Sequence, residues 1–488
     1  MRKIRVQGNR FVDDCGRHVI LHGINMVYKG RRVSDCIDYY PTWDEKDFQR
    51  LHDWGFNVIR LGLIWDAVEP EPGQYNEEYL DWVGRMLDFC QKYEIHAFLD
   101  MHQDLYSVLY SDGAPEWATL TYGNPHVAGD LWSDAYLFSE AVQTAFDHFW
   151  SNTPVFGRGL QDWYRGMWLH VVRRFKEHPA LLGYDFLNEP FPGTPARNIM
   201  SAILTAFADQ MEHMMGRKPS VEEMFAIFSD RPQKFKALSL LEDSGVYGAL
   251  ANAAEKLVAA FDQGPLADFY NNLTQAVREL DPEAIIFREH CYFSNMGIQC
   301  RGPLIEKEPG VVDPNQAYSP HGYDLVVDTE AIQQASSKRV DFIFAAHRRT
   351  QEELNIPVLV GEWGGHEHYS EGLDHIKHIL GIFAQNLWSS TYWCYEDEFH
   401  KAPVLQVLKR PYPQAVCGKL LCWHYDYKTQ EFTMEWEEEG TAPSLVYVPS
   451  SDFKVDLEGA YSVKPRKSSV LLEIPSMGGD RKVRVRLL

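Results

Sequence analysis

The chain opens MRKIRVQGNRFVDD, which holds no apolar run and no small-residue cleavage site. Nothing there reads as a secretory leader, so the expectation is a cytoplasmic protein. No window is long and apolar enough to cross a bilayer, which takes about 20 residues. The eight cysteines (Cys15, Cys36, Cys90, Cys291, Cys300, Cys394, Cys417 and Cys422) include no C-x-x-C pair, which argues against a zinc site or a disulfide framework. Cys90 and Cys394 lie in apolar runs and read as small buried hydrophobes. Basic residues are outnumbered, 47 against 69 acidic ones, for a formal charge of −22. Nucleic acid and anionic membrane surfaces are therefore excluded as partners drawn in by long-range attraction. Internal repeats and low-complexity segments are also missing.

What is present suits a large folded protein. Hydrophobic residues make up 45% and charged residues 24%, the composition of a soluble globular chain. Aromatics reach 13%, with 14 Trp and 25 Tyr; sugars stack on such rings, and large cores use them too. At 488 residues the chain exceeds one ordinary core and accommodates a barrel of roughly 250 residues or more plus a smaller domain.

From about residue 18 to 396, strand-like and helix-like segments alternate. The strands are HVILHGINM, NVIRLGLIW, IHAFLDMHQD, LLGYDFLNEP, AIIFREH, QAYSPHGYD, PVLVGEWGG and STYWCYED, with amphipathic stretches such as 76–93, 161–177, 266–280 and 329–354 between them. Eight such units predict an α/β fold, a (β/α)8 barrel, over residues 1–404. Residues 194–265 interrupt the pattern after strand four. Met200, Ile203, Leu204, Phe207, Met211, Met214 and Met215 mark a helical face there, so this helical insertion is either a lid on the active-site mouth or a plain cap. From 405 the helical period vanishes, and short alternating runs such as EFTMEWEEE and KVRVRLL predict a C-terminal antiparallel β-sandwich over 405–488.

Two glutamates end buried strands and run straight into Pro or Gly: Glu189 in LLGYDFLNEPFPG and Glu362 in IPVLVGEWGG. A parallel barrel presents catalytic groups in this way. Two facing carboxylates can break a glycosidic bond, one as general acid and one as nucleophile. Asn188 precedes Glu189 and can reach a sugar hydroxyl. Arg60, Tyr323 and His321 can donate to an ionised Glu362, and an Arg in a barrel mouth needs a carboxylate partner. His102 and Asp104 share one face at the end of strand three, as sugar ligands or, for Asp104, as a loop cap. Trp393 is a sugar platform or core packing, and Lys29 a substrate contact or a solvated side chain. HEHYS (His366, Glu367, His368) has the look of a metal cluster but lacks helical i, i+4 spacing and reads as a solvated loop. No metal and no cofactor are expected.

These residues in this order resemble glycoside hydrolase family 5, and within it the endoglycoceramidase and glycosylceramidase branch. The likeness is carried by MHQDLYS and DGAPEWA, FDHFW, GLQDWYRGMW, GYDFLNEPFPG, DFYNNLTQAVRELDP, YSPHGYD and VGEWGG, over about residues 20–400, and that branch also has a C-terminal β domain. The resemblance implies Glu189 as acid/base and Glu362 as nucleophile, with Arg60, His102, Asn188, His321, Tyr323 and Trp393 as the shared site. It also implies sugar contacts from Asp104 and Lys29. Strand five departs from the branch: it reads FREHCYF where relatives often carry a Glu-Pro pair. The expected activity is retaining hydrolysis of the β-linkage between sugar and lipid in a glycosphingolipid, with passing contact to lipid aggregates. The rivals are a β-glucosidase or endoglucanase on soluble sugars, and a non-catalytic glycan-binding barrel.

Overall fold

The structure is a computed structural model of the chain. It describes all residues but Asp35 and Glu367, and for His213, Met214, Met215, Val221, Phe228 and Arg231 the backbone alone. Eight strands form one parallel sheet: β1 His22–Met26, β2 Val58–Ile64, β3 His96–His102, β4 Leu181–Asp185, β5 Ile285–Arg288, β6 Gln316–Tyr318, β7 Leu359–Val360 and β8 Ser389–Tyr392. Their order is β6-β5-β4-β3-β2-β1-β8-β7. Parallel bridges Tyr318↔Val358 and His321↔Glu362 join the two ends, so the sheet closes into a barrel.

Side chains along a strand alternate between faces, and the interior is built on that period. At the base Leu21, Val58, Phe98, Ile285, Phe287, Ala317 and Leu359 form an apolar cluster, with the Phe98 and Phe287 rings stacked at 4.2 Å. Ile4, Phe11 and Val19 join it from below. They belong to strands Ile4–Gln7, Arg10–Asp13 and Arg17–Val19, which pair with Tyr412–Cys417 in a seven-stranded antiparallel sheet. The run HVILHGINM thus serves two sheets, changing over at Ile20–Leu21. A four-stranded sheet lies against the seven-stranded one. The sandwich core between them includes Phe432, Met434, Trp436, Leu472 and Val485.

The insertion after β4 is helical: α1 Ala196–Met215, α2 Val221–Ser229, α3 Arg231–Leu238 and α4 Ser244–Gln263. Gly216 at φ 71° ends α1, a left-handed cap that costs Gly little. Ser220 and Glu223 form a reciprocal capping box on α2, and Asp243 caps α4. Leu204, Phe207 and Ala208 of α1 pack on Met224, Leu241, Tyr247 and Leu250, with Met211 partly buried against them. The predicted face is real through Met211; the side chains of Met214 and Met215 lie outside the described residues.

Candidate active site

One step of the pleat above the apolar base, the same strands carry buried charge. Arg60 of β2 has no exposed surface. Its guanidinium lies 2.9 Å from Asp100 of β3, 3.0 Å from Asp185 of β4 and 2.8 Å from Glu289 beyond β5. It also donates to Glu362 at 2.6 Å and to Asn188 at 3.0 Å. Burial disfavours the cation, but the ring of carboxylates outweighs it and holds Arg60 firmly charged.

Glu362 accepts from Arg60 through Oε1 and from the Tyr323 hydroxyl through Oε2, the latter at 3.0 Å. Gly361 before it has no side chain for a reason: a Cβ there would lie 2.9 Å from His321 Nε2. Glu189 sits just past β4 with φ 45°, a left-handed conformation that few non-glycine residues adopt. Its backbone N–H donates to Glu289 at 2.7 Å. Its Oε1 accepts from Asn295 Nδ2 at 2.6 Å and from His321 Nδ1 at 3.1 Å. An oxygen of Glu189, one of Glu362 and a ring nitrogen of His321 all lie within 4.8 Å of one another. The Glu189 pKa is raised, first by burial and then by the charges of Glu362 and Glu289, against the pull of the His321 hydrogen bond. For His321, burial favours the neutral ring, but Glu289, Glu362 and Glu189 overturn that and hold it as the imidazolium. His321 Nδ1 is engaged by Glu189 and Nε2 lies 3.3 Å from Glu289, and the Asp100–Asp185–Glu289 cluster is already filled by the Arg60 guanidinium.

His102 is held neutral, mainly by burial, its pKa pushed down to about 3. Its Nδ1 pairs with Asp100 at 2.9 Å, which leaves Nε2 as an acceptor toward the cleft. Its ring stacks on Trp393 at 5.3 Å. Lys29 pairs with Asp104 and lies 5.5 Å and 5.2 Å from the rings of Trp132 and Trp393. Asn188 spends its oxygen on Arg60 and one N–H on the Gln103 carbonyl, so one N–H remains for a substrate. The structure brings together all ten residues read from the sequence, Arg60 and Asn188 lying beneath the others. HEHYS is in part the solvated loop expected, with His368 exposed, but His366 is buried, its Nδ1 donating to the Gly364 carbonyl. His368 pairs with Glu396 at 3.0 Å, and Glu367 lies outside the described residues.

Sequence reasoning gave no role to Asp100, Asp185, Glu289, Asn295 or Trp132. Asp100 and Asp185 were accessible by period two from His102 and from the strand end. Trp132 was not: it lies in a loop, and its ring N–H reaches Asp328 across the mouth at 3.1 Å.

Glu189 and Glu362 open into a cavity of about 940 Å³. Lys29, Asp104, Trp132, Tyr323 and Trp393 line it together with the apolar Met200, Ile203, Leu204 and Phe207 of α1 and Met224, Ile227, Leu238 and Leu241. Met200 and Phe207 stand where the lid expectation places them. Met211 is not in the wall; it packs within the insertion.

The model for cellulase, glycosyl hydrolase family 5, matches residues 12–215 and 250–399, and that for the glycoside hydrolase family 5 C-terminal domain matches 410–485. An endoglycoceramidase of Cyanea nozakii is 32% identical over 232 residues, 42% of this chain and 45% of that protein. A glucosylceramidase of Rhizopus delemar is 28% identical over 284 residues, 47% of this chain and 41% of that protein. These matches span less than half the length of either relative. Among solved structures, endo-glycoceramidase II from Rhodococcus sp., in a cellobiose-like imidazole complex, superimposes with a TM-score of 0.75 at 25% identity, over 99% of this chain and 100% of that one.

Proposed function

We propose, from the premise that the chain belongs to glycoside hydrolase family 5, that it is a retaining β-glycosidase cleaving the bond between sugar and lipid in glycosphingolipids. Glu362, ionised beside Arg60 and Tyr323, attacks the anomeric carbon while Glu189 protonates the leaving oxygen. A glycosyl-enzyme forms, and Glu189 then acts as base on water. One oxygen of each carboxylate lies within 4.8 Å of the other, which supports a retaining separation of about 5–5.5 Å over the inverting one of roughly 6.5–9.5 Å.

The single observation that carries the lipid assignment is the cavity. Its volume of about 940 Å³ lies at the top of the range for small-ligand sites, roughly 300–1,000 Å³. Both glutamates and polar groups of the barrel mouth line the cavity together with a set of apolar side chains from the insertion. Much of the apolar wall (Met224, Ile227, Leu238, Leu241) comes from residues 216–249, which the family model passes over. A soluble oligosaccharide gains nothing from such a wall. Among the described residues no helix is long and apolar enough to cross a membrane.

The test is mass spectrometry of products from glucosylceramide, lactosylceramide, a ganglioside and a cello-oligosaccharide. Release of free ceramide from at least one glycolipid is expected. Hydrolysis of the cello-oligosaccharide alone would refute the lipid assignment. Shortening 216–249 should cut ceramide release far more than hydrolysis of a small aryl glycoside.

A further inference from the structure

Glu289 is a fully buried carboxylate to which the reaction assigns no step, yet it touches three parts of the machinery at once. Oε2 accepts the backbone N–H of Glu189 at 2.7 Å. Oε1 accepts from Arg60 at 2.8 Å and lies 3.3 Å from His321 Nε2. The Glu289 backbone is itself tied, its N–H donating to the Tyr270 hydroxyl at 2.8 Å.

We infer that Glu289 is a positioning residue for the acid/base carboxyl, fixing the backbone of Glu189 directly and its unprotonated oxygen, Oε1, through His321. The inference rests on Glu189 being the acid/base. Three observations combine. The left-handed backbone at Glu189 is unfavourable for a side-chain-bearing residue by about 1–3 kcal/mol and needs outside support; the bond to Glu289 supplies it. A neutral imidazole donates from only one nitrogen, whereas an imidazolium donates from both. With Glu289 ionised on the Nε2 side, Nδ1 is free to donate to Glu189 Oε1, where the Asn295 amide donates as well. Oε1 therefore carries two donors, and the catalytic proton belongs on Oε2. The same imidazolium steadies Glu189 after it has given up that proton and must serve as base. Electrostatics agree: burial alone would raise Glu289, but His321 and Arg60 hold it down at about 2.

The test uses the full chain with Glu289→Gln and two β-glucosides, one with a 2,4-dinitrophenyl leaving group and one with phenol. The activated substrate needs no acid in the first step. Expected is a fall of less than about threefold in kcat/KM for the dinitrophenyl glucoside and of about 50-fold for the phenyl glucoside, with KM for the latter little changed. Equal loss on both substrates, or no loss on either, overturns the inference. If Glu289→Gln does not fold, Glu289→Asp keeps the charge but withdraws an oxygen from the Glu189 N–H, and the same split, about tenfold, is expected. Glu189→Ala is the control. If it gives no leaving-group split, the acid/base assignment itself has failed, and the role of Glu289 falls with it.

Discussion

At its base the barrel is closed by Leu21, Val58, Phe98, Phe287 and Ala317, none with a polar side chain. Two residues further along the same strands stand Gly23, Arg60, Asp100, Glu289 and Ser319, and Arg60, Asp100 and Glu289 carry ionisable side chains and are entirely buried. The two layers are roughly 6–7 Å apart along each strand, yet obey opposite rules. The base is stabilised by removing apolar surface from water and can be changed one side chain at a time. The charged layer holds because its carboxylates converge on one guanidinium, that of Arg60. That division matches what a parallel barrel does with its two ends, stability at the bottom and chemistry at the top.

The largest effect should come from breaking the charged layer. Arg60→Met leaves Asp100, Asp185, Glu289 and Glu362 without the guanidinium they share. Urea denaturation should show a loss of about 3–5 kcal/mol, the cost of orphaning buried partners, and activity should vanish with it. Phe98→Ala attacks the base instead. It should cost about 3 kcal/mol in the same assay while kcat/KM on an aryl glucoside stays within about threefold of the parent. If Phe98→Ala removes activity as thoroughly as Arg60→Met, the two ends are not separable.

Two histidines sharpen the contrast. His22, on β1 near the base, is held neutral at about 3, first by burial and then by Arg410; its ring donates to the Leu408 carbonyl at 3.0 Å. His321 at the top is shifted the other way. A histidine depressed in the folded state takes up its proton only on unfolding. Its stabilising contribution is therefore complete above the unfolded pKa of about 6.5 and is lost as pH falls toward 3. His22→Gln, which can keep the donor to Leu408, should flatten the stability–pH curve by up to about 1.4 kcal/mol per pH unit in that window. His321 contributes stability that is complete below the unfolded pKa of about 6.5 and is lost as pH rises through its raised pKa, so His321→Gln should lower stability at acidic and neutral pH and remove the decline otherwise seen as pH rises.

The smallest effect lies in the cavity wall. Met200→Gln puts a polar group among apolar neighbours and should lower kcat/KM on a glycosylceramide about fivefold, the equivalent of about 1 kcal/mol of lost apolar burial. An aryl glucoside should be unaffected.

How much of this was readable follows from the same division. All eight barrel strands show in the sequence as apolar runs, and Glu189 and Glu362 stand out because each ends a strand against Pro or Gly. The change of sheet within HVILHGINM does not show, because both halves are equally apolar and only pairing separates them. Glu289 reads as an ordinary acid at a strand end, since its partners Arg60, His321 and the Glu189 N–H meet it only when the barrel closes. The helix expected over 329–354 begins at Ser337, because the preceding residues form turns and a short 3-10 segment around Thr329. In the insertion the helical period was plain, but which of its apolar side chains face the cavity was set by how four helices pack.

The account turns on Glu362 as nucleophile and Glu189 as its acid/base partner, and trapping the intermediate tests this most directly. An activated 2-deoxy-2-fluoro β-glycoside incubated with the enzyme should leave a sugar adduct that peptide mapping places on Glu362. The adduct should still form in Glu189→Gln, which needs no acid for such a leaving group, and should be absent from Glu362→Gln. An adduct on any other residue, or equal trapping by both variants, would contradict the assignment.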